Sequence, residues 1–194
     1  MRGPLTRYAG KLPPGNLNAV AKSLATTLAG MHARNINHGD IKPDNILVSN
    51  DGNLQVGDPL GNGFGCTVLF SQNHGGTPGY WAPEVKAGGS ISNAGDVFSY
   101  AATLYHLLTG LKPQDGQRFD QLSQWYPNLA KICEIISACT QHDPAARPNM
   151  DEVIRMLNGA TWSDIQVSRK QVQGLLKFAA VVGGIALFLR AFGK

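Results

Sequence analysis

The sequence predicts a mainly α-helical protein that contains one small β-hairpin and ends in an apolar helix. Three observations carry this prediction. In four segments apolar residues recur every three or four positions, which is the repeat of a helix that buries one face. Two short apolar runs that flank a turn predict the hairpin. An unbroken apolar run follows near the C-terminus and predicts the last helix.

Four amphipathic segments predict the helices of the globular part. The second is expected from about Asp96 to Leu108, because Gly110 then follows as a typical residue after a helix end. The fourth is expected to end at Gly159. The apolar positions of the other three segments are Leu17, Val20, Leu24, Leu28 and Met31; Leu129, Ile132, Cys133, Ile136 and Cys139; and Met150, Val153, Ile154 and Leu157.

The hairpin is predicted from a turn between two short apolar runs. Ile46-Leu47-Val48 and Leu54-Gln55-Val56 flank Asn50-Asp51-Gly52, and Asp-Gly is a strong hairpin signal. The hairpin would hold Asp58, which follows it, at a fixed distance from Asn45, which precedes it.

The C-terminal part differs in composition from the rest. The sequence predicts a globular domain over residues 1–160, a linker over 161–173 and an apolar helix over 174–193. The unbroken apolar run, Phe178 to Leu189, is shorter than the ~20 residues of a usual transmembrane helix, so Lys177 and Arg190 would have to reach the lipid headgroups. A membrane anchor is favoured over a soluble docking helix, and both readings stay open.

The positive charge is concentrated in the tail. The chain has a net charge of +4, and residues 169–194 carry five basic residues and no acidic ones. The remaining part has 12 basic and 13 acidic residues, which does not indicate a nucleic-acid surface.

Three cysteines without C-x-x-C spacing do not indicate a zinc site. Without a recognisable signal peptide, we expect a cytoplasmic globular part.

Candidate chemistry lies in His38-Gly39-Asp40-Ile41-Lys42-Pro43-Asp44-Asn45. Asp40 is a candidate general base, Lys42 a candidate cation for a phosphoryl group, and Asn45 a candidate oxygen ligand for Mg²⁺. Phosphoryl transfer needs these three functions close together. The pattern H-x-D-x-K-x-x-N resembles the catalytic loop of protein kinases.

The resemblance continues downstream over about residues 3–158. Asp58 matches the acidic metal ligand that follows the catalytic loop in the family, and Thr77 lies in a segment that resembles the substrate-docking loop. Glu84, in Ala82-Pro83-Glu84, resembles the glutamate that pairs with an arginine, here Arg147. Asp96 resembles the residue that holds the catalytic loop. Five blocks in the family's order identify the chain as resembling the C-terminal lobe of eukaryotic-type serine/threonine protein kinases.

The resemblance implies a transferase that uses ATP and Mg²⁺ and acts on a protein substrate. It implies Asp40 and Lys42 as catalytic residues and Asn45 and Asp58 as metal ligands. Leu47 would lie on the floor of the nucleotide pocket, under the adenine. Thr77 would belong to the substrate loop. The family's structural supports would be His38, Glu84, Asp96 and Arg147.

Several features depart from the family pattern. Gly39 stands where most regulated kinases have an arginine, so switching by a phosphate–arginine pair is not expected. Pro59 and Leu60 replace the usual Phe and Gly after the metal-binding Asp. No Gly-rich loop or strand lysine precedes the catalytic loop. One expectation is therefore an N-lobe-like partner that supplies these parts in trans. The alternatives are a catalytically weak or dead, pseudokinase-type membrane-tethered binding module and a truncated kinase gene product.

Overall fold

The computed structural model describes residues 3–49, 51, 53–57 and 78–192, with residues 178–192 described by their backbone alone. The chain divides into two units, Met1–Gly159 and Ala160–Lys194. The first unit holds three short strands and six helices among the described residues, and the second holds one long helix. The predicted mainly helical class is confirmed for the described residues.

The three strands form one antiparallel sheet in the order β1-β2-β3. The strands are β1 Gly3–Pro4, β2 Ile46–Val48 and β3 Leu54–Val56. β2 and β3 form the predicted hairpin, with Leu47 opposite Gln55. Of the predicted turn, Asn50 and Gly52 lie outside the described residues. Strand β1 pairs with β2 on its other edge, through Gly3 opposite Val48, and was not predicted.

The helices of the first unit lie close to their predicted positions. They are α1 Pro14–His32, α2 Pro83–Lys86, α3 Asn93–Thr109, α4 Leu122–Trp125, α5 Ala130–Cys139 and α6 Met150–Leu157. Short 3-10 turns occur at Leu5–Tyr8, Pro43–Asn45, Pro127–Leu129 and Pro144–Ala146. Helices α1, α3, α5 and α6 match the four amphipathic segments, whereas α2 and α4 are single turns that were not predicted.

Helix α3 is the centre of the core. It is buried along nearly its whole length, and it packs against α1 and α5, while α1 packs against α6. Ser92 caps its N-terminus by accepting a hydrogen bond from the N–H of Gly95, and Gly110 ends it in the left-handed conformation. A helix that is buried on all sides is surrounded by other elements. Its first turn therefore provides a rigid support for the segments that contact it.

The second unit is a single helix, α7 Trp162–Phe192. Residues 162–173, for which the sequence predicts a linker, are part of this helix. Thr161 and Asp164 account for the difference, because the carboxylate of Asp164 accepts from the Thr161 N–H at 2.8 Å and the Thr161 hydroxyl accepts from the Asp164 N–H at 3.1 Å. This reciprocal capping starts a helix. Among the described residues, no helix combines the length and the apolar character that crossing a membrane requires. The membrane anchor is therefore not supported.

Candidate functional site

Asp40, Lys42 and Asn45 meet in the segment between α1 and β2. The ammonium group of Lys42 lies 2.8 Å from Asp40 Oδ2. The side-chain amide of Asn45 donates to the same oxygen at 2.6 Å and to the main-chain carbonyl of Asp40 at 2.9 Å. Pro43 begins a 3-10 turn that ends at Asn45. The turn brings Asn45 back onto Asp40, so the spacing of the motif produces a compact polar cluster.

The cluster is sheltered but reaches the surface. The side chains of Asp40 and Lys42 are 15% and 18% exposed. Partial burial strengthens the attraction between the two charges, and the remaining exposure lets a substrate approach. A carboxylate held in this way can accept a proton, and an adjacent ammonium can balance negative charge that develops nearby.

The amide of Asn45 is oriented in a way that fits a Mg²⁺ ligand. Because its nitrogen donates both hydrogen bonds to Asp40, its oxygen is the atom left to bind a cation. Magnesium prefers oxygen ligands from carboxylates and carbonyl groups. The donor set therefore fits the metal that the sequence implies, as far as the described residues extend. The second implied ligand, Asp58, lies outside them.

His38 connects this cluster to the end of the hairpin. Its side chain is fully buried, and its Nε2 lies 2.9 Å from the carbonyl oxygen of Gly57. Its Nδ1 accepts from the N–H of Asp40 at 3.2 Å, so Nε2 is the nitrogen that donates. The N–H of Gly57 in turn donates to the carbonyl of Asn45 at 2.7 Å. Gly57, which precedes Asp58, is thus held from both sides by the 38–45 segment.

The carboxylate of Asp96, at the start of α3, holds the backbone of the same segment. It accepts from the N–H of His38 at 2.7 Å and from the N–H of Gly39 at 2.8 Å, and His32 Nε2 lies 3.0 Å from it. Asp96 is almost completely buried. A buried carboxylate is stable only when it is well paired. Helix α3 therefore fixes the backbone from which the Asp40 side chain projects.

Gly39 occupies a position that favours glycine. Its φ is +80°, in the left-handed region that other residues seldom adopt. A Cβ atom there would lie 2.6 Å from Cδ1 of Ile91. The positive φ and the lack of space beside Ile91 explain why this chain has a glycine here, where protein kinases usually have an arginine.

Glu84 and Arg147 form a bidentate ion pair. Nη1 of Arg147 donates to Oε1 of Glu84 at 2.6 Å, and Nη2 donates to Oε2 at 2.8 Å. The contact expected from the sequence is present. Burial raises the pKa of Glu84, but the hydrogen bonds and charge of Arg147 outweigh it and hold that pKa below its ordinary value. The pair joins α2 to the segment that precedes α6.

Two side chains of α3 anchor Tyr80. The Tyr80 hydroxyl lies 2.6 Å from Nδ1 of His106, and the Ser99 hydroxyl donates to the Tyr80 carbonyl at 2.8 Å. Burial raises the pKa of the Tyr80 hydroxyl well above its ordinary value, and the charge of Asp44 adds to this. The hydroxyl therefore keeps its proton and donates it to a neutral His106.

The stability of the first unit should depend on pH through His106. Burial lowers the pKa of His106 from its usual 6.5, against a smaller opposing effect of Asp44. Below pH 6.5 the unfolded chain therefore binds more protons than the folded one. The contribution of His106 to the unfolding free energy should therefore be complete above pH 6.5. It should decrease as the pH drops towards the pKa that His106 has in the folded chain.

We expect His106→Asn, which keeps a hydrogen-bond acceptor for Tyr80, to make this fall shallower. The difference should be at most about 1.4 kcal/mol per pH unit. Denaturant titrations between about pH 5 and 8 measure it. His142→Asn, at an exposed histidine, is the matched control. Equal slopes in His106→Asn and the unchanged chain would contradict the expectation.

The structure brings five of the ten sequence-predicted site residues together. Asp40, Lys42, Asn45, His38 and Asp96 form one connected network. Leu47 lies in β2 and is half-buried, while Glu84 and Arg147 form a separate pair. Asp58 and Thr77 lie outside the described residues, as do Pro59 and Leu60. Their roles stay predictions.

Sequence reasoning missed His32, the Tyr80–His106 pair and Gly57. His32 lies at the last position of α1, and its contact with Asp96 spans 64 residues. His106 lies inside a helix whose apolar pattern is continuous around it. No local pattern marks His32, Tyr80 or His106. Gly57 is different, because it directly precedes the predicted metal ligand Asp58.

Comparisons with known proteins agree with the resemblance. The family model described as "Protein kinase domain" matches residues 3–162. The chain is 31% identical over 172 residues to the lectin-domain containing receptor kinase VI.4 of Arabidopsis thaliana, covering 72% of this chain and 24% of that protein. It is also 31% identical over 173 residues to the serine/threonine-protein kinase STY17 of the same plant, covering 79% and 29%.

A relative from another lineage gives a similar match. A probable serine/threonine-protein kinase of Dictyostelium discoideum is 31% identical over 178 residues, which cover 80% of this chain and 10% of that protein. The matches thus cover less than a third of the length of these relatives and most of the chain itself.

Proposed function

Because the chain belongs to the protein kinase family, we propose that it transfers the γ-phosphoryl group of Mg-ATP to serine or threonine hydroxyls of protein substrates. The observation that carries the proposal is the meeting of Lys42 and Asn45 on one oxygen of Asp40. Two separate side chains hold one carboxylate in place, and this is the preorganisation that a general base requires.

Asp40 would accept the proton of the attacking hydroxyl. Its Oδ2 is engaged by Lys42 and Asn45, and among the described residues Oδ1 has no partner, which leaves Oδ1 as the accepting atom. The substrate oxygen forms a bond to the γ-phosphorus while the bond to the β–γ bridging oxygen breaks and ADP leaves. Lys42 would balance charge on the phosphoryl group as it moves between the two oxygens.

Asn45 and Asp58 would hold the metal. Bound Mg²⁺ supplies positive charge that neutralises the phosphates and aligns them for transfer. Gly57 supports this assignment, because the two bonds that hold it also restrict the residue next to it, Asp58. Leu47 would lie beneath the adenine. The remaining contacts to the nucleotide are expected from an upper lobe, in the same polypeptide or supplied in trans.

Residues expected to face the protein substrate indicate a preference for serine and threonine over tyrosine. Lys42 together with Thr77 is the combination typical of the serine/threonine members of the family that the chain resembles. Two of the relatives described above carry serine/threonine-protein kinase in their names. Tyr80, anchored on α3 through His106 and Ser99, would support the loop on which the peptide lies.

Metal-dependent labelling of serine and threonine tests the proposal. The purified chain is incubated with Mg-ATP and a peptide pool that contains Ser, Thr and Tyr, and mass spectrometry locates the phosphate. We expect label on Ser and Thr but not Tyr, and loss of that label when EDTA removes Mg²⁺.

An absence of label, both without and with an upper lobe supplied in trans, or label that resists EDTA, would contradict the proposal. If Mg-ATP then also caused no thermal shift, the alternative of a kinase-like binding module would replace it, because binding to the folded state alone must raise its stability.

A further inference from the structure

The segment Pro78–Tyr80, within the proposed substrate loop, is attached to the segment that follows α3. The N–H of Gly79 donates to Oδ1 of Asp115 at 2.9 Å. The ammonium group of Lys86, in the last turn of α2, contacts the same oxygen. Asp115 thus joins the substrate-loop segment to α2 through a single carboxylate oxygen.

The two segments also touch through their backbones. Gly79 has a φ of +88°, and a Cβ atom added to it would lie 1.9 Å from the carbonyl oxygen of Pro113. No side chain fits between residue 79 and residue 113. The backbone of Gly79 therefore lies directly on Pro113, and its N–H points to Asp115. The hydrogen bond and the close contact define one position for the loop.

Asp115 is ionised in this arrangement. The hydrogen bond from Lys86 is the main reason that the pKa of Asp115 lies below its ordinary value, and the N–H of Gly79 adds to it. The carboxylate side chain is 62% exposed and Lys86 is 31% exposed. Because an exposed ion pair contributes little to global stability, the role of Asp115 must be sought in the position of the loop.

We propose that Asp115 is a positioning residue for the protein substrate, and that it acts by holding Gly79 and with it the substrate-docking loop. This inference rests on the proposed kinase function. Peptide binding depends on a loop with one defined conformation, because ordering a mobile loop costs entropy that weakens affinity. Among the described residues, Asp115 contacts Gly79 and Lys86 and not Asp40, Lys42 or Asn45. Nucleotide use should therefore be unaffected.

Asp115→Ala in the full chain tests the proposal, with Asp120→Ala as the matched control. Asp120 lies five residues further along the same segment, and it pairs with Arg118 at the surface. Hydrogen exchange followed by mass spectrometry reports on the Gly79 amide. We expect exchange there to become about tenfold faster in Asp115→Ala, the factor that one ordinary hydrogen bond supplies, and to stay unchanged in Asp120→Ala.

Steady-state kinetics supply the second measurement. The KM for a Ser/Thr peptide pool should rise several-fold, up to about tenfold, in Asp115→Ala, while the KM for ATP stays constant. Asp115→Asn keeps an acceptor for Gly79 and should recover most of the peptide affinity. Gly79→Ala should reproduce the loss without changing the carboxylate. Gly88→Ala should not, because Gly88 has a similar φ of +90° and open space around its Cβ position.

The exchange measurement needs no catalytic activity, so it separates this inference from the proposed function. Unchanged exchange at Gly79 in Asp115→Ala overturns the positioning role even if the chain is an active kinase. Faster exchange with an unchanged peptide KM in an active chain overturns it as well. Faster exchange in a chain that transfers no phosphate supports the attachment of the loop and counts against the kinase proposal alone.

Discussion

Replacing Arg147 with alanine is expected to lower the unfolding free energy by about 3–5 kcal/mol, the range for removing one partner of a buried ion pair. The Arg147 side chain is completely buried, and its five N–H donors are matched by five hydrogen bonds. Two go to the carboxylate of Glu84, and the others go to main-chain carbonyls of Gln141, Ala94 and His142. The guanidinium also lies 5.3 Å from the centre of the Phe98 ring.

The loss is large because alanine leaves all of these acceptors without their donor. A buried acceptor that loses its donor retains the full cost of its desolvation. Arg147→Lys should recover only part of the stability, since an ammonium group has three donors and cannot reproduce the planar fork. Denaturant titration of the unchanged chain and the two variants measures the difference.

Arg118→Ala is the matched control for Arg147. Arg118 pairs with Asp120 at 2.7 Å in a similar contact, but its side chain is 80% exposed. Water replaces the lost contact there, so the unfolding free energy should stay almost unchanged. A loss in Arg147→Ala no larger than that in Arg118→Ala would show that the Glu84–Arg147 pair is not the structural support we describe.

The sequence predicted the elements whose residues lie near each other in the chain. Helices α1, α3, α5 and α6 follow from their apolar repeats, and the hairpin follows from its turn. The cluster of Asp40, Lys42 and Asn45 follows equally, because one turn beginning at Pro43 connects all three. Local interactions decide these features, so a local pattern is enough to find them.

Contacts between distant segments could not be predicted from the residues alone. Strand β1 has two residues, too few for any alternation to be visible, and it exists because β2 offers an edge. The contact of Asp115 with Gly79 spans 36 residues, and neither residue carries a distinctive pattern. The Glu84–Arg147 pair spans 63 residues, and only the family resemblance predicted it.

A local capping signal marks the start of the helix in the second unit, although the polar composition of this stretch suggests a linker. Residues 161–173 are polar enough to suggest a linker, yet Thr161 and Asp164 have the spacing of a capping pair. The apolar run that follows predicts a separate helix over 174–193. The structure joins both stretches in α7, because helix capping acts over four residues regardless of the average polarity that follows.

Asp40→Asn is the second variant with a large expected effect. Asparagine preserves the size of the side chain and keeps an oxygen for Lys42 and Asn45, so the loop should remain in place. It cannot accept the proton of the substrate hydroxyl. Removing a general base typically lowers the rate by about 10²–10⁴-fold. Asp151→Asn, at an exposed aspartate of α6, removes the same charge without touching the cluster.

The rate of phosphate transfer from Mg-ATP to the peptide pool should therefore be compared among three proteins: the unchanged chain, Asp40→Asn and Asp151→Asn. We expect equal rates for the unchanged chain and Asp151→Asn, and a rate at least about 100-fold lower for Asp40→Asn. Equal rates for all three proteins would contradict the assignment of Asp40 as the base and with it the proposed centre.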